Sequence, residues 1–154
     1  MYERQDKIKQ IRIQLEDHLV KAHLEAKFAW DKGATEDQMK EILTQIRHAQ
    51  WRWDFAAAGH GNSFHNPLEI SRSISTGITL AQEARINLAR LLAKLGQSEP
   101  ISYPDLSTKE KAQAFIGLDM ATLKQEKKIF LNTVIPVWLE EAKKREATYT
   151  VTTN

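Results

Sequence analysis

Ile8, Ile11, Leu15, Leu19, Ala22, Ala26 and Ala29 recur at alternating steps of three and four. That spacing places seven apolar side chains on one stripe of an α-helix with nearly coiled-coil regularity. A helix from about Tyr2 to Lys32 would be about 45 Å long. It exceeds what a compact domain of 154 residues needs, so it is expected to pack on something large. Gly33 is placed to stop it, because glycine enters the left-handed region after a helix at little cost.

The rest of the chain repeats this grammar. Thr35-Glu36-Asp37-Gln38 reads as a capping box that opens a second helix. Its buried face is expected to be Met39, Ile42, Leu43, Ile46, Ala49, Trp53 and Ala56/Ala57. The short turn at 32–34 makes the two helices an antiparallel pair. The second helix runs out at Ala58-Gly59, and Asn66-Pro67-Leu68-Glu69 carries an N-cap Asn, Pro at the first helical position and an acid at the third. A third helix should continue to Leu95 on Ile74, Ile78, Ala81, Leu88 and Leu92, widened by Ala84 and Leu91, with Gly96 as its stop. Pro100 and Pro104 make 97–106 an irregular connection. Ser107-Thr108-Lys109-Glu110 reads as another capping box for a short helix ending near Gly117. Asp119 can cap a last helix from Met120 to about Arg145, with Pro136 expected to kink it. The fold expected is all-α: a bundle of long antiparallel helices with a short extra helix and a Pro-kinked C-terminal helix. One helical domain would span 1–147, and 148–154 would be a flexible tail.

Charge and composition remove several functions. The 22 Lys and Arg are interleaved with 20 Asp and Glu, for a formal charge of +2, so no basic stripe points to nucleic acid or an anionic bilayer. With no cysteine, this sequence cannot supply a disulfide, an iron–sulfur cluster, a thiolate nucleophile or a covalent haem anchor. No apolar run approaches a spanning length, and no membrane span is expected. The doublets Glu16-Asp17 and Glu140-Glu141 lie on helix faces where adjacent residues do not face each other, so neither makes an acid–base pair. The five histidines, His18, His23, His48, His60 and His65, match no zinc spacing.

The break in helical patterning is FAAAGHGNSFHNPLE, Phe55 to Glu69. His65 stands directly ahead of the Asn66 cap, where a rigid helix end can mount an imidazole pointing away from the helix. The residues alone leave it open between a metal ligand and a hydrogen-bonded structural histidine. His60, between two glycines, lacks such support, and His48 and Trp51 fall off the main stripe. Ser71, Ser73, Ser75, Thr76 and Gly77 weaken the head of the third helix, yet leave room for a backbone or a flat ligand. One chemistry open to a lone mounted histidine is axial ligation of a haem anchored elsewhere. The ring must then be neutral, with its second N–H oriented by an acceptor.

Three stretches, IRHAQWRWDFAAAGHGNSFHNPLE (Ile46 to Glu69), STKEKAQAFIGLDM (Ser107 to Met120) and TVIPVW (Thr133 to Trp138), resemble the C-terminal helical region of the ammonia-forming cytochrome c nitrite reductases. The similarity extends back through KAHLEAKFAWDKGAT, Lys21 to Thr35, and covers nearly the whole chain to about Arg145. The resemblance implies a periplasmic pentahaem homodimer that reduces nitrite to ammonium with six electrons from a cytochrome or quinol dehydrogenase donor. It also implies calcium near the active site and a dimer contact built from long C-terminal helices. The family histidine before its Asn/Ala-Pro pair matches His65, which implies a distal axial ligand to the iron of one bis-histidine haem c. His60, Trp51 and Trp53 match positions read as structural. The family's haem-attachment motifs, its lysine-ligated catalytic haem and the Arg, Tyr and His that hold nitrite have no match here. No catalytic residue is therefore expected in this sequence. It reads as a piece that depends on an upstream haem domain, inactive and without bound haem or calcium when isolated. The alternative is a stand-alone, haem-free helical dimerisation protein.

Overall fold

The computed structural model describes residues 2–59 and 61–149, and the chain is all-α among them. In order, α1 is Tyr2–Asp31, α2 Glu36–Ala58, α3 Asn62–His65, α4 Pro67–Lys94, α5 Lys109–Phe115 and α6 Met120–Glu146. Contacts divide the chain into two compact units, Met1–Tyr103 and Pro104–Asn154, where the sequence reading placed no internal boundary.

The first unit is α1, α2 and α4 packed pairwise. The turn between α1 and α2 shows how the sequence writes a helix end. Gly33 takes φ +86°, its N–H donates to the Trp30 carbonyl at 2.9 Å, and the Ala34 N–H donates to the Ala29 carbonyl at 3.0 Å. These two bonds satisfy carbonyls that would otherwise be left over at the end of α1. α2 then begins on the complete capping box: Thr35 Oγ1 accepts from the Gln38 N–H at 3.4 Å and the Thr35 N–H donates to Gln38 Oε1 at 2.9 Å.

The expected stripes meet in two apolar clusters. One joins Ala22, Ala26 and Ala29 of α1 to Met39, Ile42 and Ile46 of α2 and to Ala84, Leu88, Leu91 and Leu92 of α4. The other joins Ile8, Leu15 and Leu19 to Ala49 and to Ile70, Ile74 and Ala81. Alanines on the α1 side let three long helices approach closely, and at Gly77 α4 has no room for a side chain. A Cβ there would lie 2.8 Å from Leu15 Cδ2 and 3.3 Å from Arg52 Cβ. The small residues at the head of α4 thus admit a neighbouring helix at this position.

The second unit carries α5 and α6. Thr108, not Ser107, caps α5, its Oγ1 accepting from the Lys111 N–H at 3.3 Å. Ser107 is turned by Asp105, whose Oδ1 accepts the Ser107 N–H at 2.9 Å, so the cap falls one residue later than the box pattern implied. Asp119 caps α6 as expected, accepting from Ala121 N–H at 3.0 Å and Thr122 N–H at 3.1 Å. α6 runs through Pro136, which has no N–H to give the Asn132 carbonyl. Neither α5 nor α6 has a buried residue. Leu123, Phe130, Leu131, Val137 and Trp138 of α6 are exposed. Of the expected tail, residues 150–154 lie outside the described residues.

Candidate functional site

His65 is positioned from both sides in sequence. Gly61 takes φ +84°, and its carbonyl accepts the N–H of both Phe64 and His65 at 2.9 Å. This closes the single helical turn of α3, inside the stretch where the helical patterning breaks. Asn66 then caps α4, its Oδ1 accepting the Glu69 N–H at 3.4 Å, with Pro67 fixing the first helical φ. His65 is caught between a turn closed on Gly61 and a capped helix.

The imidazole is exposed. A Cβ built on Gly61 would sit 3.4 Å from His65 Cδ2 and 3.8 Å from Nε2, so the ring lies over a glycine that has no side chain to obstruct it. The Phe64 ring meets it edge-on, with centroids 5.0 Å apart and planes at 85°. Among the described residues no side chain hydrogen-bonds the ring. Exposed apolar surface flanks it in sequence: Phe64 and Leu68 are exposed, Leu68 by 81 %. Lys7, Ile8 and Ile11 of α1 with Pro67, Leu68 and Ser71 of α4 line a 430 Å³ groove. The last turns of α2 expose Trp51 stacked on Phe55 at 5.9 Å.

An exposed imidazole flanked by Phe64 and Leu68 fits a single axial ligand to a haem, which needs one nitrogen from the protein and a flat apolar bed. The acceptor expected to orient the second ring N–H is not among the described residues' contacts. His60 lies outside the described residues. Among those described, no three His, Asp or Glu side chains come together in a way that could hold a metal ion. No described helix is long and apolar enough to cross a membrane.

The structure brings together a second set of groups that the sequence reading missed. Glu25 of α1 is only 6 % exposed, and Arg85 of α4 grips it, Nε donating at 2.9 and 3.1 Å to its two oxygens and Nη2 at 2.8 Å. The Tyr103 hydroxyl donates to the same carboxylate at 2.5 Å and accepts from Arg85 Nη2 at 3.2 Å. His18 joins through Nδ1, 3.3 Å from Arg85 Nη1, and its Nε2 lies 3.3 Å from the Gln82 amide. The hydrogen bond to Glu25 pushes the Arg85 pKa up. Burial, then the bond to Glu25, pushes Tyr103 up. Burial, then the Arg85 charge, pulls His18 down. These groups line a 770 Å³ cleft between α1, α4 and the segment after α4. The overlooked signal was a carboxylate inside an apolar stripe: Glu25 lies three residues from Ala22 and four from Ala29.

A family profile described as Cytochrome c552 matches residues 1–147. The chain belongs to the cytochrome c552 family. Cytochrome c-552 of Parabacteroides distasonis is 57% identical over 142 residues, which is 92% of this chain and 29% of that protein. The cytochromes c-552 of Bacteroides thetaiotaomicron and Porphyromonas gingivalis are 57% and 56% identical over 143 residues, again 93% of this chain and 29% of theirs. The chain thus spans about 29% of the length of these curated relatives. The family's name is that of a cytochrome, a haem protein. It corrects the family drawn from the sequence motifs, the ammonia-forming nitrite reductases: the profile and these relatives carry the cytochrome c552 name. The physical reason is plain in the motifs themselves. They encode helix packing, caps and a histidine mount, features of a haem scaffold, and include none of the haem-attachment motifs.

Proposed function

We propose that this chain is the helical part of a haem-bearing electron-transfer protein in which His65 supplies one axial ligand. The covalent anchor of that haem lies outside these residues, since the sequence has no cysteine. The observation that carries the reading is the mount: an exposed imidazole fixed between the Gly61-closed turn and the Asn66 cap. The haem would supply a one-electron iron couple. The chain's part is to present a neutral ring nitrogen in one direction and to keep apolar side chains such as Phe64 and Leu68 beside it, which limits water and tunes the potential.

For the whole cytochrome we infer the six-electron reduction of nitrite to ammonium in the periplasm. The support is the wording of Ile46 to Glu69, Ser107 to Met120 and Thr133 to Trp138. Calcium, the electron donor and the substrate would all meet residues outside these 154. Two copies would join along α6, which exposes Leu123, Phe130 and Val137 at successive steps of seven.

The test is His65→Ala in the haem-loaded full-length cytochrome, read by counting low-spin haems by electron paramagnetic resonance. One low-spin haem should be lost while nitrite KM stays unchanged. An unaltered low-spin count would overturn the assignment of His65.

A further inference from the structure

The head of α4 and the N-terminal turns of α1 form the walls of the 430 Å³ groove lined by Lys7, Ile8, Ile11, Pro67, Leu68 and Ser71. Most of its lining is apolar, and Leu68 is 81 % exposed there. Lys7 is exposed and makes no ion pair among the described residues. The positions three and four residues ahead of it on α1, where an acid could pair with it, are Gln10 and Ile11. Farther along the same helix such pairs are made, Lys21 with Asp17 and Lys27 with Asp31. No Asp or Glu lines the groove, and Glu69 next to Leu68 is already held by Arg72 at 2.8 Å.

The groove also lies close to His65 along the chain. Pro67 and Leu68 are two and three residues beyond it, and three peptide units span at most about 11 Å between Cα atoms. α3, which ends on His65, packs against both α1 and α4, the helices that form the two walls.

We propose that this groove seats the edge of the haem that His65 ligates, and that the Lys7 ammonium pairs with one of its propionates. The inference rests on the axial role given to His65 above. A haem is a flat apolar ring that carries two carboxylates on one edge. The groove answers both parts: Ile8, Ile11, Pro67 and Leu68 offer apolar contact, and Lys7 offers the opposite charge, with the Ser71 hydroxyl as a further donor. An ionised propionate favours ferric iron, because the ferric state carries one more positive charge than the ferrous. Pairing the propionate with an ammonium offsets that preference and raises the reduction potential. The same ammonium holds the propionate ionised into mild acid, since a nearby opposite charge favours the charged form. Lys7 thus sets the potential of this haem without touching its iron.

The experiment is a redox titration of the haem-loaded full-length cytochrome followed by electron paramagnetic resonance, reading the low-spin signal that disappears in His65→Ala. Lys7→Met should lower the potential of that haem and leave the others unmoved, and between pH 5 and pH 7 the variant's potential should depend more steeply on pH than the wild type's. Lys7→Arg, which keeps the charge, should restore both. Lys9→Met, two residues on and about 200° round the helix, should change neither. A low-spin count unaltered in His65→Ala would take the seat down together with the axial assignment. A haem that is lost in His65→Ala but keeps its potential in Lys7→Met, as it would if a chain segment filled the groove, would overturn the seat alone, and so would an equal fall in Lys9→Met.

Discussion

Arg85 meets Glu25 across the contact of α4 with α1 through three N–H···O contacts of 2.8 to 3.1 Å. The Glu25 side chain is 8 % exposed and that of Arg85 is 26 %. A carboxylate so buried depends on its partner, because removing one half of a buried pair leaves an uncompensated charge. Arg85→Met alone should therefore lower unfolding stability by about 3 kcal/mol, toward the lower end for buried pairs because Arg85 keeps some water contact. Glu25→Leu combined with Arg85→Met should recover most of the loss. Urea unfolding midpoints at neutral pH would show it.

Gly77 of α4 packs against Leu15, which is fully buried. Gly77→Ala gains about 1 kcal/mol of helix propensity but forces a methyl to within 2.8 Å of Leu15 Cδ2. Overpacking of this kind costs about 1–3 kcal/mol, so a net loss of about 1 kcal/mol is expected. Leu15→Ala alone should cost about 2–5 kcal/mol. In the double variant the new methyl partly fills the space left by leucine, so the two effects should sum to less than their separate values. A double-mutant cycle measured by thermal unfolding would test this.

Helix existence was legible here because α1, α2 and α4 each bury one stripe, and burial imposes the three-and-four spacing on the sequence. Thr35, Asn66 and Asp119 were legible as caps because few residue types satisfy a free N–H at a helix start. α3 was not, because a single turn leaves no periodicity and is held only by the Gly61 carbonyl. His65 could be placed ahead of its cap, but the ring's position over Gly61 depends on a positive φ that the letters do not state. The Glu25 cluster was hidden for a different reason. Glu25 lies 60 residues from Arg85 and 78 from Tyr103, and only the packing of α1 against α4 and the segment after it brings them together.

Gly61 offers a controlled comparison. Gly33 and Gly96 have nearly the same φ, 86° and 84°, but a Cβ on either would meet nothing within 4 Å, whereas on Gly61 it would touch His65. Alanine at all three should cost similar backbone strain. Only Gly61→Ala should shift the His65 ring resonances and, in the haem-loaded cytochrome, alter the low-spin signal assigned to His65. Equal His65 spectra in the three variants would show that the glycine does not set the ring's position.

Asp105 gives a pH effect in the second unit. The Lys111 ammonium, 2.5 Å from Oδ2, and Ser107 hold its pKa down from 3.8 to about 2. A depressed carboxyl stabilises the fold above its unfolded value and stops doing so as pH falls through the folded one. The turn leading into α5 should therefore loosen between pH 4 and pH 2. Lys111→Met should return the Asp105 midpoint toward 3.8, as read from its side-chain carbonyl resonance.

Along α6, Leu123, Phe130 and Val137 repeat every seven residues, and Trp138 packs edge-on against Phe130 at 5.5 Å. All four are exposed, although Trp and Phe contribute most when their area is removed from water. An apolar face of this length on a helix with no buried residue is expected to pair with a second copy, because large exposed apolar patches mark interfaces. Self-association would bury the same residues from both partners about a two-fold axis, so one charge on the stripe is felt twice. Phe130→Lys should shift sedimentation at tens of micromolar to the monomer, while Lys128→Glu on the same helix should leave it unchanged. A wild-type chain that sediments as a monomer at that concentration would sink the pairing along α6.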